Sequence, residues 1–140
     1  MIIMGIDPDR GWAVVKHTRN KRVLAAGSVP GVPEMADVIR GLSDQHQIDT
    51  VRIEKPSTRH VHPRAGCSKA QMLKVAVNVG ENRAKAEALY WFCEGLGLSV
   101  VYCNPVRNGT KLGARQIERL TGWTGRTNEH ARDALVLAWV

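Results

Sequence analysis

The first seven residues, Met1-Ile2-Ile3-Met4-Gly5-Ile6-Asp7, constrain the fold more than any other stretch of the chain. Five of the six residues before the aspartate are large and apolar, with no polar alternation. That is the pattern of a strand covered on both faces, and therefore central in its sheet. Ile2, Met4 and Ile6 would face one side, and Ile3, Gly5 and Asp7 the other. Asp7 then stands at the strand's end with only a glycine hydrogen beneath it on its own face, which leaves room for something to approach. The segment Asp7-Pro8-Asp9-Arg10-Gly11 also reads as a turn, because Asp, Pro and Gly are turn formers.

Two further strands follow, at 11–17 and 22–28, joined by the short polar link Thr18-Arg19-Asn20-Lys21, so the first three strands should form an antiparallel meander. Val29-Pro30-Gly31-Val32-Pro33 breaks the sheet. Pro33 suits the first turn of a helix, and Met35, Val38, Ile39 and Leu42 recur at helical spacing through about His46. Such a helix is the crossover that returns the next strand, Thr50-Val51-Arg52-Ile53-Glu54, parallel to the first. That strand also ends on a carboxylate. Side by side, Asp7 and Glu54 would occupy the carboxyl edge of the sheet, where open α/β sheets place ligands. The plainer alternative is an edge Glu54 paired with Arg52 or Lys55.

The segment from Ser57 to Ser68 is basic and turn-rich, with Arg59, His60, His62 and Arg64, and reads as a solvated loop facing a polyanion. A zinc site at His60, His62 and Cys67 lacks a fourth ligand at any standard spacing. From Lys69 to about Leu96 the pattern predicts a long helix whose stripe runs through Met72, Leu73, Ala76, Val77, Ala84, Ala88, Leu89, Phe92, Cys93 and Leu96, closed by Gly97. The width of the stripe suggests burial against both the sheet and a second subunit. Gly80, inside it, would mark a kink, a break or a close backbone approach. A fifth strand at 98–103 and a short helix from about Ala114 to Leu120 lead to the last segment.

There Thr127 or Asn128 can cap a helix that carries His130, Asp133, Ala134, Leu137 and Ala138 on one face. An ionised aspartate on such a face is costly without a partner, and a cation at the sheet edge would supply one. Capping explains Glu129 well and Asp133 poorly.

Composition narrows the partner. Twenty Lys plus Arg against thirteen Asp plus Glu give a net charge of +7 and a pI near 9.8, which points to a polyanion, most often nucleic acid. With one Phe and two Tyr, phosphate recognition fits better than stacking of successive bases. A length of 140 residues suits one domain with a full core. Cys67, Cys93 and Cys103 form no Cys-x-x-Cys pair, so free thiols in a reducing compartment, the cytoplasm, are expected. No secretory signal or membrane span is visible.

This order of elements resembles the ribonuclease H-like nucleases. The motifs Gly5-Ile6-Asp7-Pro8, Ile53-Glu54 and His130-Ala131-Arg132-Asp133-Ala134-Leu135 resemble those of the RuvC-type Holliday junction resolvases. The resemblance covers most of the chain. It implies an α/β fold with a five-stranded mixed sheet ordered 3-2-1-4-5 and flanked by helices, a single nuclease domain over residues 1–140, and a homodimer. It further implies a divalent-metal endodeoxyribonuclease of recombination and repair that nicks two opposed strands of a four-way DNA junction.

The family's acidic cluster would correspond to Asp7, Glu54 and Asp133 with His130, serving both catalysis and the binding of Mg²⁺ or Mn²⁺, two ions per site. Whether His130 binds metal or shuttles a proton stays open at this level. Arg107 and Lys111 would lie near the scissile phosphate, and DNA contacts would come from Arg59, His60, His62, Arg64, Lys69, Lys74, Arg83, Arg107, Lys111 and Arg115. The loop after Glu54 departs from the family in lacking a Phe or Tyr to wedge into the junction, with His60 or His62 as the available substitutes. The stretch between Glu54 and Gly80 is longer than usual, and the compact chain suits a phage or mobile-element member acting in a bacterial cytoplasm. The competing readings are another ribonuclease H-like nuclease, acting on other branched DNA or on RNA, and a non-catalytic junction-binding protein. The intact Asp7, Glu54, Asp133 set argues against the latter. Actin-like ATPases share the Gly-Ile-Asp strand but need two such domains.

Overall fold

A computed structural model describes residues 1–56, 66, 68–105 and 111–140. The expected DNA contacts Arg59, His60, His62, Arg64 and Arg107, and the zinc reading that includes Cys67, lie outside the described residues. Strands β1 (Ile2–Ile6), β2 (Gly11–Lys16) and β3 (Arg22–Ser28) form the expected antiparallel meander. Helix α1 (Val32–Gln45) crosses over to β4 (Thr50–Glu54), which pairs parallel with β1. Helix α2 (Lys69–Gly95) leads to β5 (Val100–Cys103), parallel to β4, and α3 (Ala114–Thr121) and α4 (Glu129–Trp139) complete the chain. The sheet order is β3-β2-β1-β4-β5, so β1 is the middle strand, as its unbroken apolar run requires.

Each face of β1 feeds its own core. Met4 and Ile6 pack with Met35, Ile39 and Leu42 of α1 and with Ala86, Leu89 and Cys93 of α2. Ile3 packs on the other side with Ala13 and Val15 of β2, Ile117 of α3, and Ala134, Leu135 and Ala138 of α4. The space left by Gly5 is taken by α4 itself. A Cβ at Gly5 would run into the Ala134 carbonyl and the Ala138 backbone, and one at Gly11 into the His130 carbonyl. Across the ladder from Gly5 stands Ala13, so α4 lies on a floor of minimal side chains.

The far end of α4 is tied down by cations and an imidazole. Arg52 Nη1 donates to the Leu137 carbonyl (3.1 Å), His17 Nε2 to that of Ala138 (2.7 Å) and Lys21 Nζ to that of Trp139 (2.8 Å). These satisfy carbonyls that a helix end leaves without internal partners. At the other end Asn128, rather than Thr127, is the cap: its Oδ1 accepts from the Ala131 N–H (2.9 Å), while its Nδ2 reaches Ser28 Oγ (2.7 Å).

Helix α2 is one 27-residue element opened by a Ser68–Gln71 capping box. Only its second half is covered, through Ala86, Leu89 and Cys93. Leu73, Val75 and Val77 in the first half are 63%, 51% and 56% exposed, and Trp91 is 74% exposed. The sheet therefore accounts for only part of the expected stripe. Gly80 is neither a break nor a close approach, since the helix runs through it and an added Cβ would meet nothing within 4 Å.

Two glycine substitutions should separate packing from propensity. Gly5→Ala must push α4 off β1 and is expected to cost about 2–3 kcal/mol. Gly80→Ala should stabilise by about 0.5–1 kcal/mol, because only the helix's backbone entropy changes. Urea midpoints of both variants would reveal the contrast, and equal effects would contradict this packing.

Candidate active site at the carboxyl edge of the sheet

The site is assembled by register. β1 and β4 pair with Ile6 opposite Ile53, so the next residue on each strand, Asp7 and Glu54, come side by side at the carboxyl edge. Helix α4, held down on Gly5 and Gly11, brings its first turn over the same edge. His130 Nδ1 lies 3.1 Å from Asp7 Oδ2. The Asp9 N–H donates to Asp7 Oδ1 (3.1 Å), the local turn expected of Asp-Pro-Asp. Asp133 is met by Lys111, whose Nζ is 3.1 Å from its Oδ2 and which also pairs with Glu129. Thus the cation that Asp133 calls for comes from the segment just before α3. Arg132 secures that segment by donating from Nε to the Leu112 carbonyl and from Nη1 to that of Thr127, both at 2.9 Å.

The carboxylates feel one another. Burial holds the Asp7 carboxyl above its usual range, with the Asp133 charge adding to the rise, while the Asp9 N–H and His130 oppose it. Burial, reinforced by the charges of Asp7 and Asp133 and opposed by Lys111, pushes Glu54 up to about 7. Arg52 points instead to α4, and among the described residues Glu54 has no ion-pair partner, so the plainer edge reading does not hold. Lys111 is raised by its contact with Glu129, and Glu129 is correspondingly lowered.

Among the described residues no three His, Cys, Asp or Glu side chains stand close enough, as they lie, to hold one ion. The expected convergence of Asp7, Glu54 and Asp133 is seen as electrostatic coupling and not as a ligand cluster: Asp7 is turned to His130 and Asp133 to Lys111. The donor chemistry itself fits a hard divalent ion, which takes carboxylate oxygens and completes its shell with water and phosphate. Beside the carboxylates a cleft of about 190 Å³ is lined by Asp7, Pro8, Asp9, Glu54, Lys55, Pro56 and Asn82.

Of the expected basic contacts among the described residues, Lys111 reaches the carboxylates. Lys69, Lys74 and Arg83 lie on exposed turns of α2, and Arg115 on exposed α3, where it lines a groove with Glu118 and Arg119. Sequence reasoning missed Asp9 and Lys85. Asp9 Oδ2 is 3.5 Å from His130 Nε2, and Asp9 Oδ1 is 3.3 Å from Lys85 Nζ. The signal for Asp9 was a second carboxylate two residues beyond the strand-end aspartate. Lys85 had none beyond its place next to Ala86, where α2 begins to be buried.

No protein-family model matches the chain, and no curated protein sequence does. Solved structures do. The Thermus thermophilus RuvC in complex with Holliday junction substrate superposes with a TM-score of 0.64 at 17% identity, covering 99% of this chain and 90% of that one. The fowlpox virus resolvase in complex with its substrate Holliday junction DNA gives 0.58 at 13% identity, covering 99% and 94%. At these identities the likeness is one of fold: a RuvC-type, ribonuclease H-like sheet with its flanking helices, as the motifs implied.

The raised Glu54 pKa has a thermodynamic consequence. The folded chain holds this proton more tightly than the unfolded chain, whose carboxyl titrates near 4.5. The stability it contributes is full below pH 4.5 and is lost as pH rises through about 7. Glu54→Gln, which cannot ionise, should match the wild type in acid and exceed it by about 1–2 kcal/mol above neutrality. Urea titrations across pH 4–9 would test this, and a pH-independent difference would count against the coupling.

Proposed function

We propose that this chain is a structure-selective DNA endonuclease that resolves four-way junctions by paired, metal-assisted phosphodiester hydrolysis. The observation that carries the reading is the strained acidic edge. Asp7 and Glu54 are adjacent and partly desolvated, each feels Asp133, and Asp7 has His130 against it, all at the carboxyl edge of a RuvC-type sheet. Mutually repelling carboxylates of this kind are stabilised by a divalent cation, for which Asp7, Glu54 and Asp133 with His130 are the candidate holders. Such ions polarise a phosphodiester and activate water for in-line attack. The chain's own residues do the rest. Lys111, mostly exposed, is placed to take a phosphate oxygen in exchange for Glu129. His130, at Nδ1, is placed to exchange a proton near Asp7. The net charge of +7 supports binding through phosphates.

Two opposed nicks require two sites, and α2 offers the surface for a second copy. Leu73, Ala76, Val77 and Gly80 follow at i, i+3, i+4 and i+7 along its exposed half, the spacing of one helix face. Leu73 and Val77 are large apolar residues that nothing covers among the described residues.

Incubation of the protein and Mg²⁺ with four-way junction, flap, duplex and RNA–DNA hybrid should give cleavage of the junction first. Asp7→Asn should abolish cutting and preserve binding. Cutting at the wild-type rate by that variant would refute the assignment, and binding without cutting by the wild type would favour the non-catalytic reading. Leu73→Glu with Val77→Glu should convert a dimer to a monomer in light scattering.

A further inference from the structure

The contacts of Asp9 are not needed for the turn it sits in. Its backbone N–H already completes the turn on Asp7 Oδ1, and the Asp7 N–H donates to the Gly11 carbonyl at 2.9 Å. Its side chain does something further. One oxygen faces Lys85 Nζ of α2 at 3.3 Å, and the other faces His130 Nε2 of α4 at 3.5 Å. The His130 ring thus lies between two carboxylates, hydrogen-bonded at Nδ1 to Asp7 and with Nε2 facing Asp9 at 3.5 Å. Gly11 lets the same turn press against the His130 carbonyl, so ring and backbone of this residue are located by one five-residue segment. The side chains of Lys85, Asp9 and His130 are 34%, 37% and 30% exposed. Ion pairs so exposed add little to stability, which leaves orientation as the consequence of keeping them.

We propose that Asp9 is a positioning residue that fixes the plane of the His130 ring against Asp7, and that Lys85 holds Asp9 in place for it. A ring with a carboxylate facing each nitrogen has less freedom to swing than one contacted at a single nitrogen. A carboxylate supporting a histidine from its far nitrogen is the arrangement by which active sites fix ring orientation. The contacts of Asp9 also link the covered end of α2 to α4. The consequence for cleavage rests on the proposed nuclease activity. The geometry of the ring does not.

The experiment therefore reads both. In protein labelled with ¹⁵N at histidine, Asp9→Ala should move the His130 ring signals, Asp9→Glu should restore them in part, and Asp9→Asn, closest in shape, serves if the alanine variant folds poorly. In single-turnover cleavage of a four-way junction with Mg²⁺, Asp9→Ala should be slower by about 10–100-fold. Junction affinity should be unchanged and the thermal midpoint should stay within about 2 °C. Lys85→Met should slow cleavage less, and should add nothing in the Asp9→Ala background. Unmoved ring signals in Asp9→Asn and Asp9→Ala would overturn the proposal, as would a loss of rate matched by a loss of folded protein. A Lys85→Met variant that lost affinity at an unchanged rate would make Lys85 a phosphate contact and remove its role in holding Asp9. Should the wild type cut nothing, the nuclease reading fails, while the ring signals still decide the role of Asp9.

Discussion

The site depends on how closely a helix backbone can approach a central strand. Where β1 carries Gly5, a hydrogen stands in place of a side chain, and the Ala134 carbonyl and Ala138 of α4 occupy the space. Gly11 repeats the arrangement one strand over against His130, and Ala13 keeps the floor low between them. Because α4 presents Ala131, Ala134 and Ala138 to that floor, small residues meet small residues, and the helix settles near enough for His130 to touch Asp7. Larger side chains at this contact would preserve an α/β sandwich and lose the site. The carbonyls of Leu137, Ala138 and Trp139, fastened by Arg52, His17 and Lys21, fix the helix along its axis as well as above the sheet.

What that approach creates is a local excess of negative charge in a poorly solvated place. Parallel pairing puts Asp7 next to Glu54, α4 adds Asp133, and burial keeps both strand-end carboxyls from ionising at their ordinary pH. The chain answers with its own nitrogen groups, His130 on Asp7 and Lys111 on Asp133. These contacts offset part of the charge at the acidic edge. Electrostatic strain of this sort stabilises no fold; it is a feature that functional sites retain at the expense of stability.

The long helix divides into two halves with different tasks. From Ala86 onward it is a core element, packed on the sheet through Leu89 and Cys93, and the thiol of Cys93 is pushed up to about 12 by burial. Before Ala86 it carries apolar residues into solvent. Lys85 sits at the division and reaches the β1–β2 turn through Asp9.

Much of this was legible in the residues. The apolar run ending at Asp7, the hairpin link at 18–21, the crossover helix with Pro33 at its start and the paired strand ending at Glu54 each rest on local periodicity or turn chemistry, and each is found where expected. The strand order follows from them, because a meander and a right-handed crossover leave few other arrangements. The contact of His130 with Asp7 was reachable only by resemblance, and Asp9 and Lys85 were not reached at all. By itself, then, the sequence determined the elements, their order, and which carboxylates end at the sheet's edge, since these depend on neighbours within a few residues. Tertiary structure decided which nitrogen meets which carboxylate, pairing Asp7 with His130 across 123 positions and Asp9 with Lys85 across 76. The physical reason is that such pairings depend on the height of α4 above the floor and the tilt of α2, which are set by packing that no local pattern records.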